Sequence, residues 1–346
     1  MKLIVALYSR LKSTLPFISA ALACLAISAC EGFIYEYEGD CSTHYRVKFC
    51  YDWNMKFADA FAHEVSSVTL YLIDGEDRIV WSRTEAPDES EREDYYMEVD
   101  VAPGVYDLVA WCGTVDKASF EVPEASTRYD LKRRLRRETD GSEAHVRDDI
   151  DRLFYGYAEK QVFSDAEGTH TITVHLKKDT NNIRVLLQHL SGEDIDPEMF
   201  SYVITDENGS MDWDNSLMED EVINYHAFSI EPASAEFENG SSSTKSSSVF
   251  SAALAEFSVP RLMLQNRENC RLTIKNLENG KTVLSIRLVD MLLLVKGYYN
   301  RDMDDQEYLD RQDEYSMVFF IDEGYRWADA YIYINSWKVV LQDISL

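Results

Sequence analysis

Residues 45–53 alternate without a break. Val47, Phe49, Tyr51 and Trp53 fall on one side, and Arg46, Lys48 and Cys50 on the other. A period of two puts successive side chains on opposite faces of an extended chain, so this reads as a strand with one face buried. The pattern constrains the fold because it recurs. Residues 65–73 read as a second strand, Asp74-Gly75 as a turn, and 78–81 as the return of a hairpin. Further strands are expected at 97–101 and 105–111, joined by Pro103-Gly104, then at 171–176, 183–190, 202–205, 271–276, 281–288, 315–321 and 330–341. After Asn208-Gly209 comes what reads as a long polar crossing, with a serine-rich flexible loop at 240–248. Helical patches are short, at 56–63, 131–137 and 290–295. Dense strands with closely spaced turn signals predict an all-β fold of sandwiches or barrels. The 21 tyrosines lean the same way. A length of 346 residues predicts roughly two domains. Their boundary is expected near 177–182, where polar residues separate two blocks of strands.

The N-terminus reads as an export signal. Lys2, Arg10 and Lys12 open it, an uncharged run from Leu15 to Ala29 follows, and small residues precede Cys30. The stretch Ile27-Ser28-Ala29-Cys30 resembles the lipobox of bacterial lipoproteins. That resemblance implies cleavage before Cys30 and acyl chains on its thiol. Cys24 is a weaker candidate, because Ala21 stands where a lipobox prefers a branched residue. An ordinary signal peptide or a membrane span is the alternative, but the apolar run is short of the roughly 20 residues a span needs. Residues 30–44 then read as an acidic tether. It resembles the signals that send some lipoproteins to the outer face of the outer membrane; a plain solvated linker accounts for it equally.

The formal net charge is −28. Removing residues 1–29 takes away Lys2, Arg10 and Lys12 and no acid, leaving 31 basic against 62 acidic residues and a net charge of −31. This excludes nucleic acid as a partner, since phosphate contacts need clustered Lys and Arg. Lipid alone is expected to hold the chain to a bilayer. Cys41, Cys50, Cys112 and Cys270 remain beyond the signal, and an exported chain can oxidise them. Spacing does not assign a pairing.

No catalytic motif occurs: there is no His-Glu-x-x-His, no Gly-x-Ser-x-Gly and no phosphate loop. No enzyme activity, metal or cofactor is expected. His170 and His175 stand five positions apart on a strand and so point to opposite faces. Lys132, Arg133, Arg134, Arg136 and Arg137 form the one basic cluster. It reads as a solvated helix face, with an anion site or a protease site as alternatives. Residues 302–314 are acidic, but a calcium loop needs glycine at its sixth position and Glu307 stands there.

Several segments together resemble the FimB-type minor fimbrial subunits of fimbrillin pili. They are Val47-Lys48-Phe49-Cys50-Tyr51-Asp52-Trp53-Asn54, then Pro103-Gly104-Val105-Tyr106-Asp107-Leu108 running on through Trp111-Cys112-Gly113. Asp151-Arg152-Leu153-Phe154-Tyr155-Gly156 and Ile204-Thr205-Asp206-Glu207-Asn208-Gly209 with Asp214-Asn215 follow. Residues 306–315 and Ile334-Asn335-Ser336-Trp337 complete the set, with Ser336 standing where the family usually has Gly. The resemblance implies two tandem transthyretin-like β-sandwich domains, placed at 45–178 and 179–346, and no catalysis. It implies an anchor at the base of a fimbrium that limits its length, with a stalk subunit as partner through β-strand addition. Residues 330–346 are the expected contact, unless that strand simply completes the second sandwich. A surface glycan-binding lipoprotein is the competing reading, with Trp53, Trp81, Trp213, Trp327 and Trp337 available to stack on sugars.

Overall fold

The computed structural model describes residues 42–115, 118–238, 247–297, 300–334 and 337–340. Two compact units partition the chain: Met1–Thr43 with Ala166–Gly168, and His44–Asp165 with Thr169–Leu346. In the first, the Gly168 N–H donates to the Ser42 carbonyl at 3.2 Å and the Thr43 hydroxyl to the Ala166 carbonyl at 3.1 Å. The second unit carries the architecture that follows.

The fold is all-β. Strand β1 (Thr43–Trp53) leads to the short helix α1 (Phe61–Glu64), and β2 (Val68–Ile73), β3 (Ile79–Glu85), β4 (Met97–Val99) and β5 (Gly104–Cys112) follow. Next come β6 (Phe120–Glu121), β7 (Arg133–Leu135), β8 (Glu138–Asp140), β9 (Glu143–Val146), β10 (Phe154–Phe163) and β11 (Gly168–Lys178). Past Asp179 lie β12 (Thr180–His189), β13 (Phe200–Asp206), β14 (Ser210–Met211), β15 (Ile223–His226), β16 (Ser229–Glu238) and β17 (Ser247–Pro260). Then come β18 (Arg271–Asn276), β19 (Thr282–Arg287), α2 (Leu288–Leu293), α3 (Asp305–Arg311), β20 (Glu314–Ile321), β21 (Trp327–Ile334) and β22 (Trp337–Val340).

One sheet has the order β3-β2-β5-β10-β11-β1-β4 and lies wholly before Asp179. A second, β16-β17-β12-β20-β21-β22, lies wholly after it. The third, β19-β18-β13-β15-β9-β8, draws β8 and β9 from the first half of the chain, and a small sheet β14-β7-β6 does the same with β6 and β7. The excursion 120–146 therefore pairs with strands on the far side of residue 179.

Two apolar cores result. Val47, Phe49, Tyr51, Leu70, Leu72, Leu108, Ala110, Val174 and Leu176 belong to the smaller. Tyr71, Ile73, Val109, Trp111 and Tyr155 belong to the larger, together with Ile183, Val185, Tyr202, Ile204, Phe257 and Phe319. Neighbours along β2 and β5 thus serve different cores, as period two requires when both faces of a sheet are covered. That is why Val68–Ile73 is buried at every position.

The structure corrects four local expectations. Residues 131–137 are not helical. They alternate buried and exposed from Leu131 to Arg136 and hold β7. The patch at 56–63 yields only the four residues of α1, because the Asn54 side chain donates to the carbonyls of Tyr51 and Ala58 and ties that segment into a turn. The polar crossing holds β14 to β17, including the long β16–β17 hairpin; Asn239–Ser246 lies outside the described residues. The single strand expected at 330–341 is a hairpin, with Ile334 opposite Trp337 and Tyr331 opposite Val340.

Glycines in the family-like segments lock the sheets. A Cβ on Gly113, at φ +83°, would lie 1.8 Å from the Arg152 carbonyl oxygen, and one on Gly156 would lie 2.6 Å from Val174 Cγ1. At Gly113 no other residue fits without backbone movement, and at Gly156 the packed Val174 and Leu176 side chains would have to give way.

A buried polar cluster sits where the chain passes residue 179. Arg261 grips Asp310 with two hydrogen bonds of 2.7 Å and donates to the Asn215 carbonyl at 2.8 Å. Lys177 Nζ and Gln306 Nε2 complete the Asp310 carboxylate at 2.7 and 2.9 Å. Burial alone would raise the Asp310 pKa, but Arg261 and Lys177 outweigh it and hold it below the usual carboxylate range. Asp179 differs. Its Oδ1 accepts from Asn215 Nδ2 at 2.9 Å and lies 3.8 Å from Arg261 Nε, while Oδ2 has no hydrogen-bond partner. Burial raises its pKa to about 7 against the opposing pull of Arg261. A raised carboxyl makes the folded chain bind a proton that the unfolded chain has lost, so its contribution to stability declines as pH climbs from the ordinary value of 3.8 toward 7. Asp179→Asn removes that decline. In urea titrations across this window the variant should gain stability relative to wild type as pH rises. A constant difference between the two would contradict the assignment.

Candidate functional site

Cys30 and residues 31–41 lie outside the described residues, as does Cys41. Among the described residues no helix is long and apolar enough to cross a membrane. Cys50, Cys112 and Cys270 are free thiols.

At the other end of the chain, β22 is the outermost strand of its sheet. It pairs with β21 on one side, and among the described residues no strand covers the other. An uncovered edge offers a row of backbone donors and acceptors to an incoming strand. Residues 341–346, the rest of the expected contact, lie outside the described residues.

The basic cluster is divided by the alternation of β7. Arg133 is 1 % exposed; it donates to the Tyr71 hydroxyl at 3.3 Å and sits 5.1 Å over the Trp111 ring. Arg137 forms a bidentate pair with Asp220 at 3.0 and 2.8 Å, also largely buried. Lys132, Arg134 and Arg136 are exposed and share a cleft of about 770 Å³ with Glu121, Glu124 and Glu219. A cleft of mixed sign is a poor anion site.

The acidic segment is used internally. Asp304 caps α3 by accepting from the Glu307 N–H at 2.7 Å. Asp305 pairs with Lys296 at 2.9 Å, Glu307 with Arg311 at 2.7 Å, and Asp313 with Lys178 at 2.5 Å. With Asp310 held by Arg261, four carboxylates of the segment, Asp305, Glu307, Asp310 and Asp313, have cationic partners within the protein.

Of the tryptophans read as sugar platforms, Trp53 is covered by Arg311 at 3.8 Å and approached by Lys177 at 5.4 Å. Trp81 lies 5.3 Å from the Arg83 guanidinium, and Trp327 packs partly against the larger core. The Trp337 side chain lies outside the description. Trp213 is different. Arg128 stacks on it at 4.8 Å, and Tyr129 and Tyr157 meet its edge at 6.4 and 5.9 Å. Tyr129 is 55 % exposed, so this group forms an aromatic patch open to solvent.

His170 and His175 diverge. His170 packs 6.0 Å from the Tyr45 ring, whereas His175 Nδ1 lies 3.0 Å from both carboxylate oxygens of Asp52. Cys50 joins that pair: the ligand atoms of Cys50, Asp52 and His175 all lie within 4.8 Å of one another. Burial, then the carboxylates of Asp59 and Asp52, push the Cys50 thiol up to about 12. Sequence reading missed this group. Cys50 and Asp52 share a face of β1 at spacing two, but only the adjacency of β1 and β11 brings His175 to them. A second pair, His145 Nδ1 and His226 Nε2 at 2.9 Å, joins parallel strands β9 and β15, and burial lowers the His226 pKa.

The family model of the fimbrillin-A associated anchor proteins Mfa1 and Mfa2 matches residues 37–343. No curated protein matches the chain. Among solved structures, a putative adhesin from Bacteroides thetaiotaomicron is 31 % identical with a TM-score of 0.75, covering 88 % of this chain and 100 % of its own. A putative polysaccharide binding protein from the same organism is 30 % identical, TM-score 0.72, covering 87 % and 99 %. The fimbrial anchor protein Mfa2 from Porphyromonas gingivalis shares the fold at 16 % identity, TM-score 0.59, covering 87 % and 99 %. From a family match over most of its length and relatives at this identity, the chain belongs to the fimbrillin-A associated anchor protein family.

Proposed function

We propose that this protein is the anchor subunit of a fimbrium. It is a lipoprotein held in the outer membrane by acyl chains on Cys30, it retains the base of the polymer at the cell surface, and it limits the polymer's length. Membership of the anchor family carries the reading. The lipobox-like run ending at Cys30, just ahead of the family match, supports the lipid. More than one acyl chain is needed for stable anchoring, since each buried methylene contributes only about 0.8 kcal/mol. The body is read as two sandwich halves, 45–178 and 179–346, tied together by the excursion 120–146. Nothing here calls for catalysis; the family is named for anchoring.

The stalk subunit is read as joining by β-strand addition at β22. An edge that no strand covers among the described residues supports this, because backbone hydrogen bonds supply affinity without a dedicated pocket. Residues 31–45 contain no Lys or Arg, so the tether offers no basic cleavage site that would part the body from its lipid.

A second reading, glycan binding, is favoured by the Trp213 patch and by a relative named as a putative polysaccharide binding protein. On a glycan array that reading predicts a signal lost in Trp213→Ala. The anchor reading alone predicts no signal in either protein.

Metabolic labelling with a fatty-acid analogue should mark wild type and leave Cys30→Ala unmarked. Equal labelling of both would sink the lipid assignment. Trimming residues 340–346 should release fimbriae into the medium while the protein stays folded and membrane-bound. Fimbriae that remain attached would place the contact elsewhere.

A further inference from the structure

We propose that Cys50, Asp52 and His175 form a binding site for one zinc ion, with two ligands from β1 and one from β11. Spacing two puts Cys50 and Asp52 on the same face of β1, the face away from buried Phe49 and Tyr51. β11 is the ladder neighbour of β1, and its exposed His175 already turns Nδ1 to Asp52 at 3.0 Å. Zinc holds sulfur at about 2.3 Å and nitrogen or oxygen at about 2.0 Å, which sets tetrahedral ligand atoms roughly 3.5 Å apart. The three atoms here lie within 4.8 Å of one another, so side-chain rotation is enough to close the site.

Ligand chemistry selects the ion. A thiolate and an imidazole favour zinc over calcium or magnesium, which take oxygen ligands. The charge balance agrees. Asp52 is itself a ligand and Asp59 is fixed close by, so the site is anionic and suits a doubly positive ion. As the sulfur–zinc bond forms, the thiol proton leaves to solvent. Asp59 stays outside the first ring of ligands. Its Oδ1 accepts from the Tyr51 and Phe61 N–H groups at 3.0 and 2.9 Å, which fixes the carboxylate beside the sulfur. The fourth position falls to water, which enters from a cleft of about 510 Å³ lined by Cys50, Asp59, His63 and Tyr95. Bound zinc would cross-link β1 to β11 by side chains in addition to their backbone ladder.

The test uses the reduced full chain with Co²⁺ as a spectroscopic stand-in. Wild type should bind one Co²⁺ per chain with a thiolate-to-cobalt charge-transfer band, and one equivalent of Zn²⁺ should displace it. Cys50→Ser should abolish the band. Its persistence there would assign the thiolate to another cysteine and overturn the site, as would a folded wild type with no band. Because Cys50 is partly buried, the exposed His175 provides a second variant. His175→Ala should keep its fold and lose about tenfold or more in Zn²⁺ affinity, the least effect seen for groups that support a metal site. Zn²⁺ should raise the melting temperature of wild type by more than that of His175→Ala at the same concentration. Equal affinity or an equal thermal shift in the two proteins would also overturn the proposal.

Discussion

The Arg261–Asp310 pair is the interaction around which the two halves of the chain are organised. Arg261 directly follows β17, Asp310 lies in α3, Asn215 follows β14, and Lys177 and Asp179 come from the junction of β11 and β12. Each contributes a group that would be costly to bury alone. An isolated charge in the interior costs several kcal/mol, and removing one partner of such a pair typically costs about 3–5 kcal/mol. The cluster therefore specifies an arrangement more than it supplies net energy. If β12 or β17 slipped by one residue, Asp179 or Arg261 would turn to the other face and leave the rest unpaired. The apolar cores oppose the same slip, since it would turn each strand's buried set to the other face.

The same logic explains where the family-like segments fall. Asn208 donates to the carbonyls of Pro260 and Arg261 and accepts from the Tyr225 hydroxyl, while Asp206 accepts from Asn266. Asn215, at φ 65°, presents its amide to Asp179 and its carbonyl to Arg261. Gln306 reaches the Leu262 carbonyl and Asp310. Gly113 and Gly156 make the close approaches that let β5, β10 and β11 pack. These residues are linked by hydrogen bonds and close contacts rather than gathered around an open pocket. Such a pattern suits a chain whose work is to hold shape.

Much of this was legible in the sequence. β1, β2, β5, β12, β18 and β20 announce themselves by alternation or by β-branched runs, and the all-β class followed from them. The expectations that went astray did so for identifiable reasons. β7 lies where a helical patch is expected, because a run of basic residues reads as a solvated face, yet Arg133 occupies an inward position of a strand, its charge answered by Tyr71 and the Trp111 face. β10 carries no period-two signal, because its outer half is polar and its inner half contains Gly156, which is there for packing rather than for a turn. β17 hides its alternation behind alanines, although Ala253, Ala255, Phe257 and Val259 are all buried. The excursion 120–146 joins strands beyond residue 179, and no local pattern encodes such a partner. The Cys50–Asp52 pair was visible as a spacing, whereas His175 depended on sheet order, which short-range periodicity does not carry.

An anchor with an open edge faces a problem of selectivity. Backbone hydrogen bonds along an edge strand do not distinguish one chain from another, so a second copy of the same protein could pair there as readily as a stalk subunit. Charge supplies a discrimination that the backbone lacks. The full sequence carries a formal net charge of −28. Two such copies repel one another, and the penalty acts before any ladder can form. At physiological ionic strength that repulsion reaches only about 8 Å, so it weighs most at the short separations where strands begin to pair. A partner of lower negative charge, or with basic residues beside its incoming strand, escapes most of the penalty. On the anchor reading, the acidic composition and the uncovered β22 edge then work together: the edge provides affinity, and the charge restricts which chain can use it.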